Sequence, residues 1–222
     1  MNINALRTRF AAAAAAAAVL CAALFLAVPA AHATAAVDAS GPSQLIQSAS
    51  EVMLKDIDAN RAKYRQDKTG LYRLIDDVLL PNFDVDFAAQ QVLGKHWREA
   101  DEQQRARFIK AFYRSLMQTY GDALVDFTGD RIKFLPFTGD PAAPRATVRT
   151  EIRRDGGSIV KVNYSLRKTA AGWKAWDVVI EGISYVKSFQ EDFGPEVDAK
   201  GLDYLIQRLE SPGPAVKPAK RS

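Results

Sequence analysis

The stretch RATVRTEIRRDGGSIVKVNYSLRKTAAGWKAWDVVI, residues 145–180, decides the fold of this protein. Apolar and polar residues alternate over residues 145–154 and again over 158–168, which is the period of strands with one buried face. The Asp-Gly-Gly sequence at 155–157 is typical of a hairpin turn between them. A third alternating run over 173–181 continues the pattern. These runs predict an antiparallel meander.

Each predicted strand has one apolar face, and the three faces are expected to lie on the same side of the sheet. They consist of Ala146, Val148, Thr150 and Ile152; of Val160, Val162, Tyr164 and Leu166; and of Trp176, Val178 and Ile180. A further short strand from Ile132 to Phe137 would give a sheet of three to four strands. An apolar face needs a cover, and the rest of the chain reads as helices.

Steps of three and four between apolar residues predict helices on both sides of the sheet in sequence. Before it they cover Pro42–Gln66, Leu71–Leu80, a short segment capped by Asp84 or Asp86, and a long segment opened by Asp101 and carrying apolar residues from Phe108 to Phe127. After it they cover residues 183–200, with a break at Gly194-Pro195, and 201–210. The expected fold is α+β, with helices covering one face of an antiparallel sheet.

The N-terminal 33 residues have the form of a secretory signal peptide. Arg7 and Arg9 precede an apolar run over residues 11–27, and Ala31-His32-Ala33 fits the small-x-small cleavage pattern. The run is shorter than the roughly 20 residues of a spanning helix. We therefore predict a signal peptide at 1–33, a linker at 34–42, a domain at 43–211 and a disordered basic tail at 212–222.

Removing the signal peptide changes the chemistry that the chain can support. The 222-residue chain carries a net charge of +4, and the remaining 189 residues carry +2, no cysteine and one histidine, His96. So small a positive excess disfavours nucleic acid as a partner. Nucleophilic catalysis and a metal site both lack suitable residues, and His96 is interpreted as a surface or capping residue. Ser184 is interpreted as the cap of the helix that follows it.

The distinctive feature of the chain after residue 33 is therefore its apolar side chains. The residues alone leave two interpretations of them open. The sheet and the long helix either form a dry core or enclose an apolar pocket. Periodicity does not distinguish the two.

An ordered set of short segments resembles the MlaC family, also called the toluene-tolerance auxiliary family. It includes Val92-Leu93-Gly94-Lys95-His96-Trp97-Arg98, Gly172-Trp173-Lys174-Ala175-Trp176-Asp177, Glu181-Gly182-Ile183-Ser184 and Lys200-Gly201-Leu202-Asp203-Tyr204-Leu205-Ile206. The resemblance covers about residues 43–210.

The resemblance implies a periplasmic phospholipid carrier with a sheet and a helical layer enclosing a deep apolar pocket, without catalysis and without a cofactor. It implies transient partners: an inner-membrane lipid ABC-transporter complex and an outer-membrane lipoprotein–porin complex, in a system that maintains outer-membrane lipid asymmetry. The protein is expected to be a monomer. Alternation then gives candidate lipid-binding residues: Phe108, Phe112, Leu116, Val148, Ile152, Val160, Val162, Tyr164, Trp176, Val178 and Ile180.

Two other hypotheses come from the residues. One is an exported protein-interaction module with a dry core and no lipid ligand. The other is a hydrolase that uses carboxylates such as Asp84 and Asp86, for which paired carboxylates in a cleft would be needed.

Overall fold

The computed structural model describes residues 36–126, 128, 131–140, 142–154 and 156–211. The predicted signal peptide, the first two linker residues, Phe127, Asp155 and the predicted tail lie outside the described residues, and the proposed domain boundaries stay predictions.

Helices precede and follow a single run of strands. In chain order the elements are α1 (Pro42–Gln66), α2 (Thr69–Val78), α3 (Val85–Leu93), α4 (His96–Glu99), α5 (Glu102–Val125), β1 (Ile132–Phe134), β2 (Arg145–Arg153), β3 (Ile159–Thr169), β4 (Gly172–Ile180), β5 (Ile183–Ser184), α6 (Tyr185–Lys200) and α7 (Leu202–Glu210). A short 3₁₀ turn, Leu80–Asn82, joins α2 to α3.

Side-chain caps determine where two of the predicted helices begin. The Asp101 carboxylate accepts a hydrogen bond from the Gln104 backbone N–H at 2.7 Å, and the Gln104 side chain accepts one from the Asp101 N–H at 3.1 Å. This reciprocal capping box satisfies donors that a helix start leaves unpaired. At the start of α3, Asp84 accepts from the Phe87 N–H at 3.1 Å. Of the two candidates in the sequence, Asp84 is therefore the cap.

The sheet is antiparallel, and its strands lie in the order β1-β2-β3-β4-β5. The α+β architecture is confirmed, with five strands instead of the expected three to four. The additional strand, β5, contains Ile183 and Ser184, which the sequence placed in a helix, and pairs with the end of β4. In the β2–β3 turn Gly156 and Gly157 have φ values of +91° and +86°, a conformation that favours glycine.

Strands β2 and β3 have one apolar and one polar face, as predicted. On the apolar face Val148, Val162 and Leu166 are buried, whereas Arg145 and Lys161 on the polar face are exposed. We call the apolar side the inner face and the polar side the outer face. The period of two residues along a strand produces this separation.

The alternation breaks down at Trp176. Ser165 lies opposite Asp177 but Leu166 lies opposite Ala175, so Trp176 is the extra residue of a β-bulge. The grouping of Trp176 with Val178 and Ile180 by strict alternation is therefore wrong. Trp176 instead packs edge-on against Phe87 of α3, with ring centroids 5.3 Å apart.

Asp177, the residue after the bulge, fastens β4 to the start of α6. Its side chain is 3% exposed and accepts hydrogen bonds from the Ser184 hydroxyl at 2.6 Å and the Val186 N–H at 3.0 Å. Ser184 in turn accepts from the Lys187 N–H at 3.0 Å, so it caps α6 as predicted. One buried carboxylate thus links the sheet to the helical layer.

Among the described residues most of the buried apolar side chains fall into three clusters. The helical cluster joins α3, α5, α6 and α7 around Phe108, Phe112, Phe189 and Phe193. A second cluster, between α1, α2 and the end of α5, includes Met53, Ile57, Leu71, Ile75 and Val125. The sheet cluster packs Leu45 and Ile46 of α1 against Val148, Leu166, Trp173 and Ala175.

Two local expectations are corrected. Helix α6 does not break at Gly194-Pro195, because Phe189, Phe193 and Val197 on both sides of the proline are buried in the helical cluster. His96 is not a surface residue: it is 6% exposed. Its Nδ1 lies 3.4 Å from Glu99 Oε2 and its Nε2 lies 3.5 Å from Asp198 Oδ1, so it sits between α4 and α6.

No helix in the described part of the chain is long and apolar enough to span a membrane.

Replacing Asp177 is expected to loosen the joint between β4 and α6. Asp177→Ala leaves the Ser184 hydroxyl and the Val186 N–H without their acceptor, which costs about 2–4 kcal/mol. Asp177→Asn keeps one carbonyl acceptor and should cost less than half as much. Urea unfolding followed by circular dichroism measures both, and equal losses would show that the hydrogen bonds are not the source of the stability.

Two valines on the same row of the inner face provide a test of how evenly that face is covered. Val148 and Val178 both pair with Tyr164, but Val148 is 2% exposed and Val178 is only partly buried. Val148→Ala should cost about 2 kcal/mol and Val178→Ala less than about 1 kcal/mol, because truncation matters most where packing is complete. The measurement is urea unfolding followed by circular dichroism. Equal costs would mean that the face is packed uniformly.

Candidate functional site

The inner face of the sheet has a covered end and an open end. At the covered end, Val148, Leu166 and Ala175 lie under Leu45 and Ile46 of α1. The open end consists of Ile152, Val160, Val162, Val178 and Ile180, none of which belongs to the three buried clusters of the described residues.

The strand register assembles the open end into one continuous apolar surface. Ile152 lies opposite Val160, Val162 opposite Ile180, and Tyr164 opposite Val178. Val160 and Val162 are buried, but Ile152, Val178 and Ile180 remain partly exposed despite facing inward. Partly exposed apolar side chains on an inward face indicate incomplete coverage by the helices.

The register extends this surface to two residues that alternation alone did not select. Ile132 of β1 lies opposite Ile152, and Ile183 of β5 lies opposite Ile180. Ile183 is 47% exposed, so the apolar surface reaches solvent at this end. The sequence pattern assigns residues 183–200 to a helix, so it does not predict that Ile183 belongs to the sheet. The pairing of Ile183 with Ile180 of β4 places it there.

The three helical candidates do not join the sheet candidates in a described cluster. Phe108 and Phe112 are stacked with ring centroids 5.5 Å apart, and Phe112 makes an edge contact of 5.1 Å with Phe189. Both are buried in the helical cluster, and Leu116 packs at the margin of that cluster. The structure therefore gives Phe108 and Phe112 a packing role within the helices.

The phenol groups of Tyr120 and Tyr164 are partly or largely removed from water. The rings of Tyr120 of α5 and Tyr185 of α6 lie 6.1 Å apart, and desolvation, with Tyr185 adding to it, raises the pKa of Tyr120 to about 12. Burial also raises the pKa of Tyr164 on the inner face, and a hydrogen bond with Thr150 acts in the opposite direction. These phenols stay neutral at physiological pH and carry no charge into the region.

A buried polar side chain on the inner face finds its hydrogen-bond partner within the sheet. The buried Thr150 hydroxyl donates a hydrogen bond to the Val162 carbonyl at 2.9 Å. An apolar surface with its polar groups already paired is suited to holding an apolar ligand by contact and exclusion of water. It presents no arrangement of nucleophile and base.

Of the two carboxylates considered for hydrolysis, Asp84 has structural partners. Besides capping α3, Asp84 lies 3.2 Å from Arg167 Nη1, and the Arg167 guanidinium stacks 4.3 Å above the Phe87 ring. These side chains line a groove of about 420 Å³ beside β4, together with Asp86, Trp97 and Lys174. In the described part of the chain, no group of three or more His, Cys, Asp or Glu residues is arranged to hold a metal ion.

Comparison with known proteins gives consistent results at the levels of family, sequence and structure. The model of the family described as "MlaC protein" matches residues 47–211. The chain is 30% identical over 168 residues to the toluene tolerance protein ttg2D of Pseudomonas putida, covering 75% of this chain and 78% of the relative. It is 26% identical over 179 residues to the intermembrane phospholipid transport system binding protein MlaC of Haemophilus influenzae, covering 79% and 83%.

A solved structure shows the same fold. The phospholipid-binding protein of Ralstonia solanacearum, determined in complex with a phospholipid, superposes with a TM-score of 0.69 at 22% identity. The superposition covers 74% of this chain and 92% of the other. Because a family model matches three quarters of the chain and a relative of similar length is 30% identical, the chain belongs to the MlaC family.

Proposed function

We propose that this protein is a periplasmic phospholipid carrier that holds acyl chains against the open end of the inner sheet face. The observation that carries the proposal is the uneven cover of that face: Val148 is buried under α1, whereas Val178 and Ile180 on the same face are partly exposed. Membership of the MlaC family supports it, as do the relative named for intermembrane phospholipid transport and the solved structure bound to a phospholipid.

The free energy of hydrating acyl chains explains why a carrier is needed. Each methylene costs about 0.8 kcal/mol in water, so a chain of roughly 16 carbons costs on the order of 12 kcal/mol. A lipid therefore crosses an aqueous compartment only if a protein hides its chains. The residues that do so need shape and apolarity, which Ile152, Val178 and Ile180 supply, and the head group can remain in water.

Two chains require a cavity of about 800 Å³, within the usual range for ligand pockets. An empty cavity costs about 24 cal/mol per Å³, or about 19 kcal/mol at that volume, which exceeds the stability of a typical domain at about 5–15 kcal/mol. The pocket is therefore either filled with lipid or closed by movement of the helices.

The candidate residues divide into two groups under this proposal. Contact with acyl chains is assigned to Ile152, Val160, Val162, Tyr164, Val178 and Ile180, with Leu116 at the helical margin. Phe108, Phe112 and Val148 support the site by packing, and Trp176 does so through its contact with Phe87.

The carrier is proposed to exchange lipid with an inner-membrane ABC-transporter complex and an outer-membrane lipoprotein–porin complex. Export through the predicted signal peptide would deliver it to the compartment between them. Docking at each complex must be transient, because a shuttle has to release its partner after exchange.

Lipid extraction from the purified protein tests the proposal directly. We expect organic extracts of protein purified without detergent to contain near-stoichiometric phospholipid by mass spectrometry. Protein without bound lipid that also takes up none from vesicles would contradict the proposal and favour the alternative of an interaction module with a dry core.

A matched pair of isoleucine variants tests the location. Ile180→Asp places a carboxylate against the acyl chains, and an unpaired charge in an apolar site is costly, so lipid per protein should fall at least tenfold. Ile159→Asp introduces the same charge on the outer face, where Ile159 is 53% exposed, and should leave lipid content unchanged. Equal loss in both variants, or in neither, would contradict the assignment. Circular dichroism verifies that each variant is folded.

A further inference from the structure

Charge is segregated between the sheet and the helices. Residues 131–182 contain ten Lys and Arg against five Asp and Glu, a net charge of +5. The rest of residues 34–211 contains fifteen basic and twenty-one acidic residues, a net charge of −6. The near-neutral total of the domain thus conceals a basic sheet and an acidic helical layer.

The strand register collects the basic residues on the outer face. Arg145 of β2 lies directly opposite Arg167 of β3, which lies directly opposite Lys174 of β4. Three cations therefore form one row across three adjacent strands. A second row places Lys133 and Lys161 on either side of Glu151, and Arg149 lies between the two rows.

The fold gains nothing from placing these cations opposite one another, although Arg167 itself stacks on Phe87. Like charges directly opposite each other on neighbouring strands destabilise a sheet. Of the three cations, Arg167 is 3.2 Å from the Asp84 carboxylate, which offsets one charge. The Arg149 guanidinium donates a hydrogen bond to the Thr138 hydroxyl at 2.9 Å. Because this partner is neutral, it does not offset the positive charge of Arg149.

We propose that the outer sheet face, defined by Lys133, Arg145, Arg149, Lys161, Arg167 and Lys174, docks on the surface of an anionic lipid bilayer. Between the cations on β2 and β3 lie Thr147, Asn163 and Ser165, which are small and polar. A stable protein interface is organised around a buried apolar or aromatic centre. The apolar residues of the outer face are Ile159, at the start of β3, and the partly buried Val179 of β4, opposite Asn163, and the row that contains Lys161 lies between them. A basic face without such a centre is complementary to a surface of diffuse negative charge.

The acidic helical layer sets the orientation of docking. Asp84 and Asp86 share a groove with Arg167 and Lys174 at the β4 side of the outer face. An anionic bilayer attracts the outer face and repels these acids and the helices, so the domain approaches with β1, β2 and β3 facing the bilayer. The inner face and its open end then lie behind the sheet, which separates docking from the site proposed for lipid. The inference is thus independent of the proposed function: docking is measured by protein on vesicles, and lipid binding by lipid in the soluble protein.

Vesicle flotation of the mature chain tests the proposal. The vesicles contain either phosphatidylcholine alone or phosphatidylcholine with about 40 mol% phosphatidylglycerol. Phosphatidylglycerol is anionic and gives the bilayer a negative surface potential. The test variant is Arg145→Gln, Lys161→Gln, Lys174→Gln. The matched control removes three exposed helical cations as Lys55→Gln, Arg73→Gln, Lys110→Gln.

Each cation near an anionic surface contributes roughly a fivefold gain in binding, so the sheet variant should bind about 100-fold more weakly than wild type. The control variant should bind within about threefold of wild type, and wild-type binding should vanish in about 0.5 M salt or without anionic lipid. Removing Arg145 and Lys174 relieves their repulsion with Arg167, whereas removing Lys161 loses its attraction to Glu151, so the sheet variant should melt close to wild type.

Three results would overturn the proposal. They are absence of wild-type binding to the anionic vesicles at low salt, equal weakening by the sheet and control variants, and binding that does not depend on anionic lipid. Capture of an acidic protein by the outer face without any vesicle binding would assign the surface to a protein partner and would likewise overturn it.

Discussion

The structure depends on one constraint: the inner face of an antiparallel sheet must be removed from water, and the helices cover only part of it. Helix α1 buries Val148 and Leu166 at one end through Leu45 and Ile46. At the other end Val178 and Ile180 are left partly exposed. A sheet with complete cover would gain more free energy from burial, so the incomplete cover is the reason for proposing that lipid binds there.

The way the helices are attached to the sheet follows from this constraint. Helix α1 holds the sheet through apolar contacts, while α6 is held by the hydrogen bonds that Asp177 accepts from Ser184 and Val186. Polar contacts of defined geometry fix the direction in which α6 leaves β5 without filling the space beside the open end. The phenylalanine cluster around Phe112 then packs α3, α5, α6 and α7 against one another.

Much of the architecture could be predicted from patterns that act locally. Helix α1 runs over Pro42–Gln66 as predicted, and the caps at Asp101 and Ser184 were identified correctly, because periodicity and capping depend on neighbours in sequence. The errors concern contacts that the spacing of apolar residues does not specify. The bulge at Trp176 needs the pairing with β3, strand β5 needs its pairing with β4, and the burial of His96 needs Asp198 of α6 to lie beside it. Phe108 and Phe112 were grouped with the sheet because spacing shows which face of a helix is apolar but not what that face contacts.

Register is what allows one sheet to present two different surfaces. Because side chains alternate with a period of two, a slip of one residue between β2 and β3 would move Val162 to the outer face and Lys161 to the inner face. Gly156 and Gly157, whose positive φ values few other residues tolerate, fix the length of the turn that sets this pairing. The same turn therefore keeps the apolar residues on the inner face and the basic residues on the outer face. A substitution there would damage the two surfaces together, even though neither glycine contributes a side chain to either.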